Sequence, residues 1–444
     1  MHSRTRFHSS PTARIACVLA LASLSCQSGR YVRGTERPNT RVAHSAGHAS
    51  HHVPSCRGES MANVWAPPGF CVTQFADNLI WPRHMVFAPN GDLIVATREG
   101  LMVLWDGDHD GMAGQRERAI IGGRDLSNQG IAFSPDGQWL YYAADQAVMR
   151  IPYQPGLRHF DSPGQIVIPD LPASITHPYK SITFDREGRL YVSVGSRDNL
   201  TPGEGARIMR YTIPVEIPAL GFSYRSGEVF ANGIRNAEAM TWDGSGRLWA
   251  FVNGRDDLRP RGTVESFPLD HPGDWVFHLS SSAGTFYGYP YCWALGPVAW
   301  GDRRDAASQW ADPDANEGHD DAWCQNPANV FPAAGALPAH TAPLGAATYN
   351  ATLFPAEYRG NIFVASHGSW DRHGGQIGRT LLRVQVDGDR VTSVTPFVGQ
   401  RASDGNLREG RWGERPVGIA VGPDGALYVA SDEGGHIFRV GYGS

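Results

Sequence analysis

The chain has 444 residues, with 52 glycines, 31 prolines and 10% aromatic residues, but only 19% charged residues. This composition favours many short strands and turns over long helices, and propellers and barrels of this kind exceed the usual length of one domain. The net charge of -5 and the lack of a basic run argue against a nucleic-acid partner.

The first 26 residues predict an export signal. Arginines precede an apolar run over residues 15–24, which is too short to span a bilayer and ends in small residues before Cys26. The sequence before Cys26 is close to a lipoprotein cleavage box, so a lipid anchor at Cys26 is the less favoured alternative. The chain is therefore predicted to be exported, with a periplasmic, outer-membrane-associated or extracellular location.

Residues 27–62 are polar, lack apolar periodicity and carry four histidines, His44, His48, His51 and His52. We predict a disordered tether here, with metal scavenging as the weaker alternative. Residues 63–444 are predicted to form one folded domain.

From Trp65 onward, one unit recurs: a strand, a turn rich in Pro, Asn, Asp or Gly, and a second strand. Six such units begin near Met85, Ile131, Ile182, Met240, Ala347 and Ile419. One hairpin cannot bury both of its faces, whereas blades arranged around an axis can. The fold class predicted is all-β, a six-bladed β-propeller, with the strand at Cys71–Phe75 completing the last blade.

An acidic loop follows the first unit. Asp106, Asp108, Asp110 and Glu117 occupy positions one, three, five and twelve of a calcium-loop pattern, with Gly111 at position six. The flanks are strand-like, so a helix–loop–helix pair is not expected. We predict a structural Ca²⁺ site, and the alternative is an acidic surface turn.

The interval from Asp257 to His340 is too long for a simple connection, so an insertion is predicted between blades four and five. Cys292 and Cys324 fall inside it, and Cys56 and Cys71 lie near the start of the domain. Both pairs are candidate disulfides for an oxidising compartment. A metal cluster is the alternative, but no Cys-x-x-Cys spacing supports it, and the absence of Cys-x-x-Cys-His excludes attached c-type haem.

Three segments at the predicted blade ends carry residues whose side chains could bind a ligand or take part in a reaction. They are His177 with Lys180, the only lysine of the chain; Arg235-Asn236; and residues 253–257. Other arginines, Arg83, Arg98, Arg372 and Arg415, flank further units. A lone His is usually structural and an exposed Arg is usually solvated, but equivalent loops of a propeller face one axis. Together these residues predict a site for an anionic ligand.

The chain resembles the soluble quinoprotein sugar dehydrogenases, and more closely the bacterial L-sorbosone dehydrogenase family. The resemblance covers about residues 66–442. It rests on His177, the strand Tyr191-Val-Ser-Val-Gly195, Gly233-Ile-Arg235-Asn236, Tyr287-Gly-Tyr-Pro-Tyr-Cys292, Leu337-Pro-Ala-His340-Thr-Ala-Pro-Leu-Gly345, His367-Gly-Ser-Trp370-Asp-Arg372 and the closing segment from Arg415 to Gly425.

The resemblance implies a propeller that binds pyrroloquinoline quinone (PQQ) through Ca²⁺ and oxidises an aldose or sugar aldehyde. By position, His177 matches the general base, and Arg235 and Asn236 match the pair that contacts the quinone oxygens, so Arg235 joins His177 among the predicted catalytic residues. Gly254 and Arg255 match the backbone carbonyls that hold Ca²⁺. Arg415 matches a cation facing a carboxylate of PQQ, with Lys180 and Arg372 as further candidates.

Elementary chemistry agrees with these roles, because a quinone with three carboxylates needs cations and a hard metal with oxygen ligands. A His that titrates near neutrality suits removal of a hydroxyl proton. Since no haem segment is present, electrons would pass to an external acceptor, a cytochrome or a quinone.

The sequence departs from the family pattern at three places. An acidic-Leu-Asn motif is replaced around residues 274–279, Arg255 stands where Pro is usual, and paired cysteines after Gly195 are absent. Two alternatives therefore stay open: a Ca²⁺-dependent propeller lactonase or other hydrolase, and a non-catalytic propeller that binds a glycan or a protein.

Overall fold

The computed structural model describes residues 56–118, 130–144, 146–258, 272–296, 308–369, 372 and 375–443. These ranges are almost entirely β-structure, with one short helix, Asp321–Gln325, and two 3-10 turns, Tyr224–Ser226 and Ala356–Tyr358. Within them, no helix is long and apolar enough to cross a membrane. The predicted export signal, Cys26 and residues 27–55 of the predicted tether lie outside the described residues.

Six sheets form the six blades of a propeller, each built mainly of antiparallel strands. The blades are numbered in chain order. Blade 1 contains Met85–Phe87, Leu93–Thr97, Gly100–Trp105 and Gln115–Arg118, and blade 2 contains Ile131–Phe133, Trp139–Ala143, Val148–Pro152 and Gln165–Ile168. Blade 3 contains Ile182–Phe184, Arg189–Val194, Arg207–Thr212, Glu228–Asn232 and the parallel Thr285–Phe286, and blade 4 contains Ala239–Trp242, Leu248–Val252, Asp274–His278 and Gly335–Leu337. Blade 5 contains Pro343–Thr348, Ile362–Ser366, Thr380–Asp387, Arg390–Arg401, Val64–Trp65 and Leu407–Arg408, and blade 6 contains Pro416–Val421, Leu427–Ser431, His436–Tyr442, Phe70–Ala76 and Glu59–Ser60. The predicted fold class is confirmed.

The ring closes in blade 6, where Phe70–Ala76 pairs antiparallel with His436–Tyr442. This confirms the predicted role of the first strand. Glu59–Ser60 adds a further strand to the same sheet, and a Cys56–Cys71 disulfide anchors the segment. The boundary predicted between residues 62 and 63 is therefore a few residues late, because residues 56–62 already belong to the folded domain.

Buried side chains form six clusters, and each cluster is shared by two neighbouring blades around the ring. The turn inside each hairpin supports this packing. In blade 3, Asp185 accepts hydrogen bonds from the backbone N–H of Arg189 (2.8 Å) and the hydroxyl of Tyr191 (3.0 Å). In blade 4, Asp243 repeats the arrangement with the backbone of Arg247 and the indole of Trp249, both at 3.0 Å.

The predicted insertion is present, and the structure refines its position. The interval between Asp257 and His340 contains the last two strands of blade 4, and residues 279–334 run between them. These strands escaped the sequence analysis because Asp274–His278 and Gly335–Leu337 lack a turn signal between them. The insertion carries a two-stranded hairpin, Cys292–Ala294 with Gln309–Ala311, and the predicted Cys292–Cys324 disulfide is formed.

Candidate functional site

Charged and polar side chains are buried at one end of the propeller. At this end the first strand of each blade begins and the second strand of each blade ends. The exposed fraction of each is below a tenth for His177, Lys180, Arg235, Asn236, Arg255, Arg83, Glu238, Asp274, Asp432 and Arg415. Because burying unpaired charge is costly, so many ionic groups at one end of the fold indicate a functional site. Two loops organise it, the base loop (residues 174–180) and the carbonyl loop (residues 253–257).

His177 lies in the base loop, before the first strand of blade 3. Its Nδ1 is 3.1 Å from the carbonyl oxygen of Ser196. A carbonyl only accepts, so Nδ1 carries the proton and Nε2 keeps its lone pair. Burial, together with the positive charge of Arg235, lowers the pKa of His177 to about 3. The imidazole is therefore neutral at physiological pH and is available as a base.

Gly195 brings the base loop against Asn236. A Cβ at residue 195 would fall 2.5 Å from the Cβ of His177 and 2.7 Å from Oδ1 of Asn236, distances that real Cβ atoms do not adopt. Only a glycine fits here, because both His177 and Asn236 occupy the space that a side chain at residue 195 would need. The structure thus brings together two of the predicted site residues.

Arg235 connects blade 3 to the carbonyl loop. Its Nη1 donates to the backbone oxygens of Gly254 (2.7 Å) and Asn253 (3.4 Å), and its Nη2 donates to Oδ1 of Asn199 (2.9 Å) and contacts Asp256 (3.2 Å). Asn199 also accepts from the backbone N–H of Asp256. Asn199 is not predicted from the sequence, because no motif marks it.

The carbonyl loop presents oxygen atoms of the kind that a hard cation binds. The side-chain oxygen of Asn253 is buried and finds no hydrogen-bond partner within the described part of the chain. The carbonyl of Gly254 is adjacent along the backbone, and the Gly254 N–H donates to Asp274 (2.9 Å). An unpaired buried oxygen beside a backbone carbonyl fits a Ca²⁺ ligand set, which makes Asn253 a further candidate ligand, while the metal positions at Gly254 and Arg255 stay predictions.

Asp274 binds the backbone of the carbonyl loop and was not predicted as a site residue. It is buried and accepts from Gly254 N–H, the hydroxyl of Thr341 (2.7 Å) and the backbone N–H of Ala342 (3.0 Å). Burial raises the pKa of Asp274 and these hydrogen bonds oppose the rise. The carboxylate therefore joins blade 4 to the loop before blade 5.

Lys180, the only lysine, is fully buried at the end of the base loop. Its Nζ donates to the backbone carbonyl of Pro178 (2.6 Å), and the carbonyl of His177 lies 3.5 Å away. An ammonium in this position adds positive charge close to His177 and contributes to its lowered pKa.

A network of polar and charged side chains crosses the site and was not predicted as a unit. Asn236 donates to Glu238 (3.2 Å), Glu238 pairs with Arg83 (2.7 Å), Arg83 pairs with Asp432 (3.1 Å), and Asp432 contacts Nε2 of His367 (2.9 Å). This network joins residues next to blades 1, 4, 5 and 6. Below it, the innermost strands of all six blades line a cavity of about 1140 Å³ that reaches Ser181 and Glu238.

The two other predicted cations, Arg415 and Arg372, differ in burial. Arg415 is buried and donates to the backbone oxygens of His367 (3.1 Å) and Gly368 (2.9 Å), and it pairs with Glu433 (2.9 Å). Arg372 is half-buried in a stretch that is only partly within the described residues. Both remain predicted ligands of a carboxylate.

The acidic loop after blade 1 gathers three of its four predicted ligands. Asp106, Asp108 and Asp110 each place an oxygen within 4.8 Å of the others. Glu117 is not part of this group, and its carboxylate is 3.2 Å from His159. Glu117 fails to join because it lies on the strand Gln115–Arg118. The Ca²⁺ site stays a prediction that rests on three carboxylates.

Comparison with known proteins identifies relatives. A family model described as TrAA12-like matches residues 64–442. A pyrroloquinoline quinone-dependent pyranose dehydrogenase of Coprinopsis cinerea is 25% identical over 404 residues, which cover 84% of this chain and 54% of that protein. An aldose sugar dehydrogenase of Escherichia coli is 25% identical over 270 residues, 58% of each chain. The chain thus spans about half the length of the curated relatives it matches.

Solved structures share the fold. The holo form of the PQQ domain of the C. cinerea pyranose dehydrogenase superposes with a TM-score of 0.71 at 22% identity, covering 87% of this chain and 98% of that one. A calcium structure of a Trichoderma reesei family AA12 enzyme gives 0.72 at 22% identity, covering 88% and 98%. The predicted resemblance to quinoprotein sugar dehydrogenase propellers is confirmed at this level, whereas the closer resemblance to L-sorbosone dehydrogenases stays a prediction.

Proposed function

Because the chain belongs to the TrAA12-like family, we propose that it is a sugar dehydrogenase that uses PQQ and Ca²⁺ and oxidises an aldose or sugar aldehyde. The observation that carries the proposal is the neutral, buried His177 beside Arg235, Asn236 and the carbonyl loop. The site thus combines a base, cations and oxygen ligands, and the curated relatives act on sugars.

His177 removes the hydroxyl proton of the sugar through Nε2. Its Nδ1–H bond to Ser196 fixes the ring and the tautomer, and Gly195 sets its distance from Asn236. Bound PQQ would supply a hydride acceptor for the carbon that carries this hydroxyl. A neutral base of low pKa is a weaker proton acceptor, and the three carboxylates of PQQ would raise the pKa of His177 toward the operating range.

The remaining residues hold the anionic cofactor. Arg235 and Asn236 would contact the quinone oxygens, and Arg415, with Lys180 and Arg372, would face the carboxylates. The Asn253 side-chain oxygen and the backbone carbonyls of Gly254 and Arg255 would bind Ca²⁺. In the cofactor-free protein the Gly254 carbonyl accepts from Arg235, so we expect Arg235 to exchange this partner when the metal binds.

Export and electron transfer complete the proposal. The signal over residues 1–26 would deliver the chain to an oxidising compartment, which agrees with the Cys56–Cys71 and Cys292–Cys324 disulfides. A cytochrome or a quinone outside this chain would reoxidise the cofactor, and a lipid anchor at Cys26 stays the less favoured alternative.

The deciding experiment is reconstitution of the protein with PQQ and Ca²⁺, followed by dye reduction with a panel of aldoses and sorbosone. His177→Ala should lower turnover by about 10²–10⁴-fold, the usual contribution of a general base. His159→Ala, at an exposed histidine, is the control. Failure to bind PQQ would overturn the proposal, and lactone hydrolysis without PQQ, or glycan binding unchanged in His177→Ala, would favour the hydrolase or the binding propeller.

A further inference from the structure

The carbonyl loop is held on two sides. From within blades 3 and 4, Arg235 donates to the Gly254 carbonyl and Asp274 accepts from the Gly254 N–H. On the other side, the side chain of Arg255 leaves the loop toward the insertion over residues 279–334. The same loop is therefore fixed by residues of the blades and by residues of the insertion.

Arg255 forms a buried ion pair with Asp312. Its Nη1 contacts both carboxylate oxygens, at 2.7 and 2.9 Å, and the side chains are 5% and 1% exposed. The same guanidinium donates to the backbone oxygens of Asp256 (3.2 Å) and Asp257 (3.0 Å). One side chain thus closes the carbonyl loop on itself and ties it to the insertion.

Asp312 is itself held in a rigid hairpin. Its backbone N–H donates to the carbonyl of Tyr291, and its Oδ1 accepts from the backbone N–H groups of Asp314 (2.8 Å) and Ala315 (3.0 Å). It follows the strand Gln309–Ala311, which pairs with Cys292–Ala294, and Cys292 forms the disulfide with Cys324. The position of the Asp312 carboxylate is therefore fixed by contacts other than the one with Arg255.

We infer that Arg255 and Asp312 are positioning residues through which the insertion sets the conformation of the carbonyl loop, and with it the affinity of that loop for a divalent cation and its bound quinone. The inference rests on the proposed function for the identity of the ligands. Its physical basis is preorganisation: a loop whose carbonyls already point correctly loses less freedom when it binds a cation. The planar guanidinium of Arg255 fixes orientation as well as distance, because Nη1 faces Asp312 while Nη2 faces Asp314 (3.0 Å) and the Asp257 carbonyl.

The test uses Asp312→Asn, because an asparagine keeps an oxygen for the N–H groups of Asp314 and Ala315 but loses the charge and the second acceptor of Arg255. Asp92→Asn is the matched control, since Asp92 is also buried and binds Arg158 through two contacts (2.6 and 2.9 Å), but in the hairpin turn of blade 1. Asp312→Glu retains the charge.

Two quantities are measured in the full-length chain. The first is the Kd for PQQ at fixed Ca²⁺, by absorbance titration. We expect at least a tenfold weakening in Asp312→Asn, substantial recovery in Asp312→Glu and less than a twofold change in Asp92→Asn. The second is amide hydrogen exchange at Gly254 and Asp256 in the cofactor-free protein, which should accelerate at least tenfold in Asp312→Asn alone.

The outcomes separate the two proposals. Unchanged exchange at Gly254 and Asp256 in Asp312→Asn, or equal weakening in Asp92→Asn, would overturn the positioning role. If the wild-type protein binds no PQQ, the proposed function fails, and the exchange measurement still decides whether Asp312 controls the loop.

Discussion

The base loop and the carbonyl loop lie in one site but are held by different forces. The base loop is fixed by mostly neutral hydrogen bonds: Ser174 accepts from the His177 N–H (2.9 Å) and donates to the Ser196 carbonyl (2.8 Å). The carbonyl loop is fixed by buried charged residues, Arg235, Asp274 and Asp312. The first arrangement requires exact packing, and the second requires every partner to be present.

Gly195→Ala should have the largest effect, because it breaks the packing of the base loop. The new Cβ would overlap His177 and Asn236 and force them apart. A displacement of about 1 Å at a catalytic group can cost about 100-fold in rate, so we expect kcat to fall by about that factor. Overpacking should also lower the free energy of unfolding by about 1–3 kcal/mol.

The control is Gly413→Ala, where a Cβ meets no atom within 4 Å. Steady-state kinetics and denaturant unfolding of both variants decide the result. Wild-type turnover in Gly195→Ala would show that the base loop tolerates movement and that the contrast with the carbonyl loop is wrong.

Asp274→Asn should break the carbonyl loop instead. Asparagine cannot satisfy all three donors, Gly254 N–H, Thr341 Oγ1 and Ala342 N–H, so the free energy of unfolding should fall by about 1–3 kcal/mol. PQQ and Ca²⁺ binding should weaken, because the Gly254 carbonyl loses its support.

Asp243→Asn is the matched control for this variant. Asp243 is also buried and accepts from two backbone N–H groups and from the indole of Trp249, but it lies in the hairpin turn of blade 4. We expect a similar loss of stability with unchanged cofactor affinity. Equal loss of affinity in both variants, measured by absorbance titration, would contradict a specific role for Asp274.

The acidic loop provides a third case, in which a cation would support the ring closure. Gly111 packs directly on Arg57, and Ala113 N–H donates to the Phe75 carbonyl (2.7 Å), so the loop touches both the anchored N-terminal segment and blade 6. A cation at 100 times its Kd would stabilise the fold by about 2.7 kcal/mol.

Thermal unfolding of the PQQ-free protein should therefore shift upward with Ca²⁺ and downward with a chelator. Asp108→Asn should remove most of this response, and Asp136→Asn, an exposed turn residue of blade 2, should leave it intact. A response equal in all three proteins would show that the acidic loop is only a surface turn.

The separation of contacting residues along the chain explains how far the sequence could predict the site. His177 and the Arg235-Asn236 pair were predicted because the chemistry and the motif lie within a few residues, and the six hairpins repeat a local pattern. Asp274, Asn199 and Asp312 were not, because their partners Gly254, Arg235 and Arg255 are 20, 36 and 57 residues away. Such pairs depend on how strands, blades and the insertion come together in three dimensions, which no local pattern encodes.

Protonation of His177 should be visible in the pH dependence of stability. Its folded pKa of about 3 lies below the value of 6.5 for a free imidazole, so the unfolded chain binds the proton more readily. Stability is therefore lost as pH falls from about 6.5 toward 3 and is unaffected by this group above that range. The slope contributed by one proton is at most about 1.4 kcal/mol per pH unit.

Other buried histidines, His84 and His367, also have lowered pKa values, so the total slope cannot be assigned to His177 directly. The difference between wild type and His177→Gln isolates it. We expect the free energy of unfolding of the variant to depend less steeply on pH between 4 and 6, and NMR of the cofactor-free protein to show a neutral imidazole at pH 5. A resonance that titrates near pH 6.5 would mean that water reaches the ring, and that the base loop is held less tightly than its hydrogen bonds indicate.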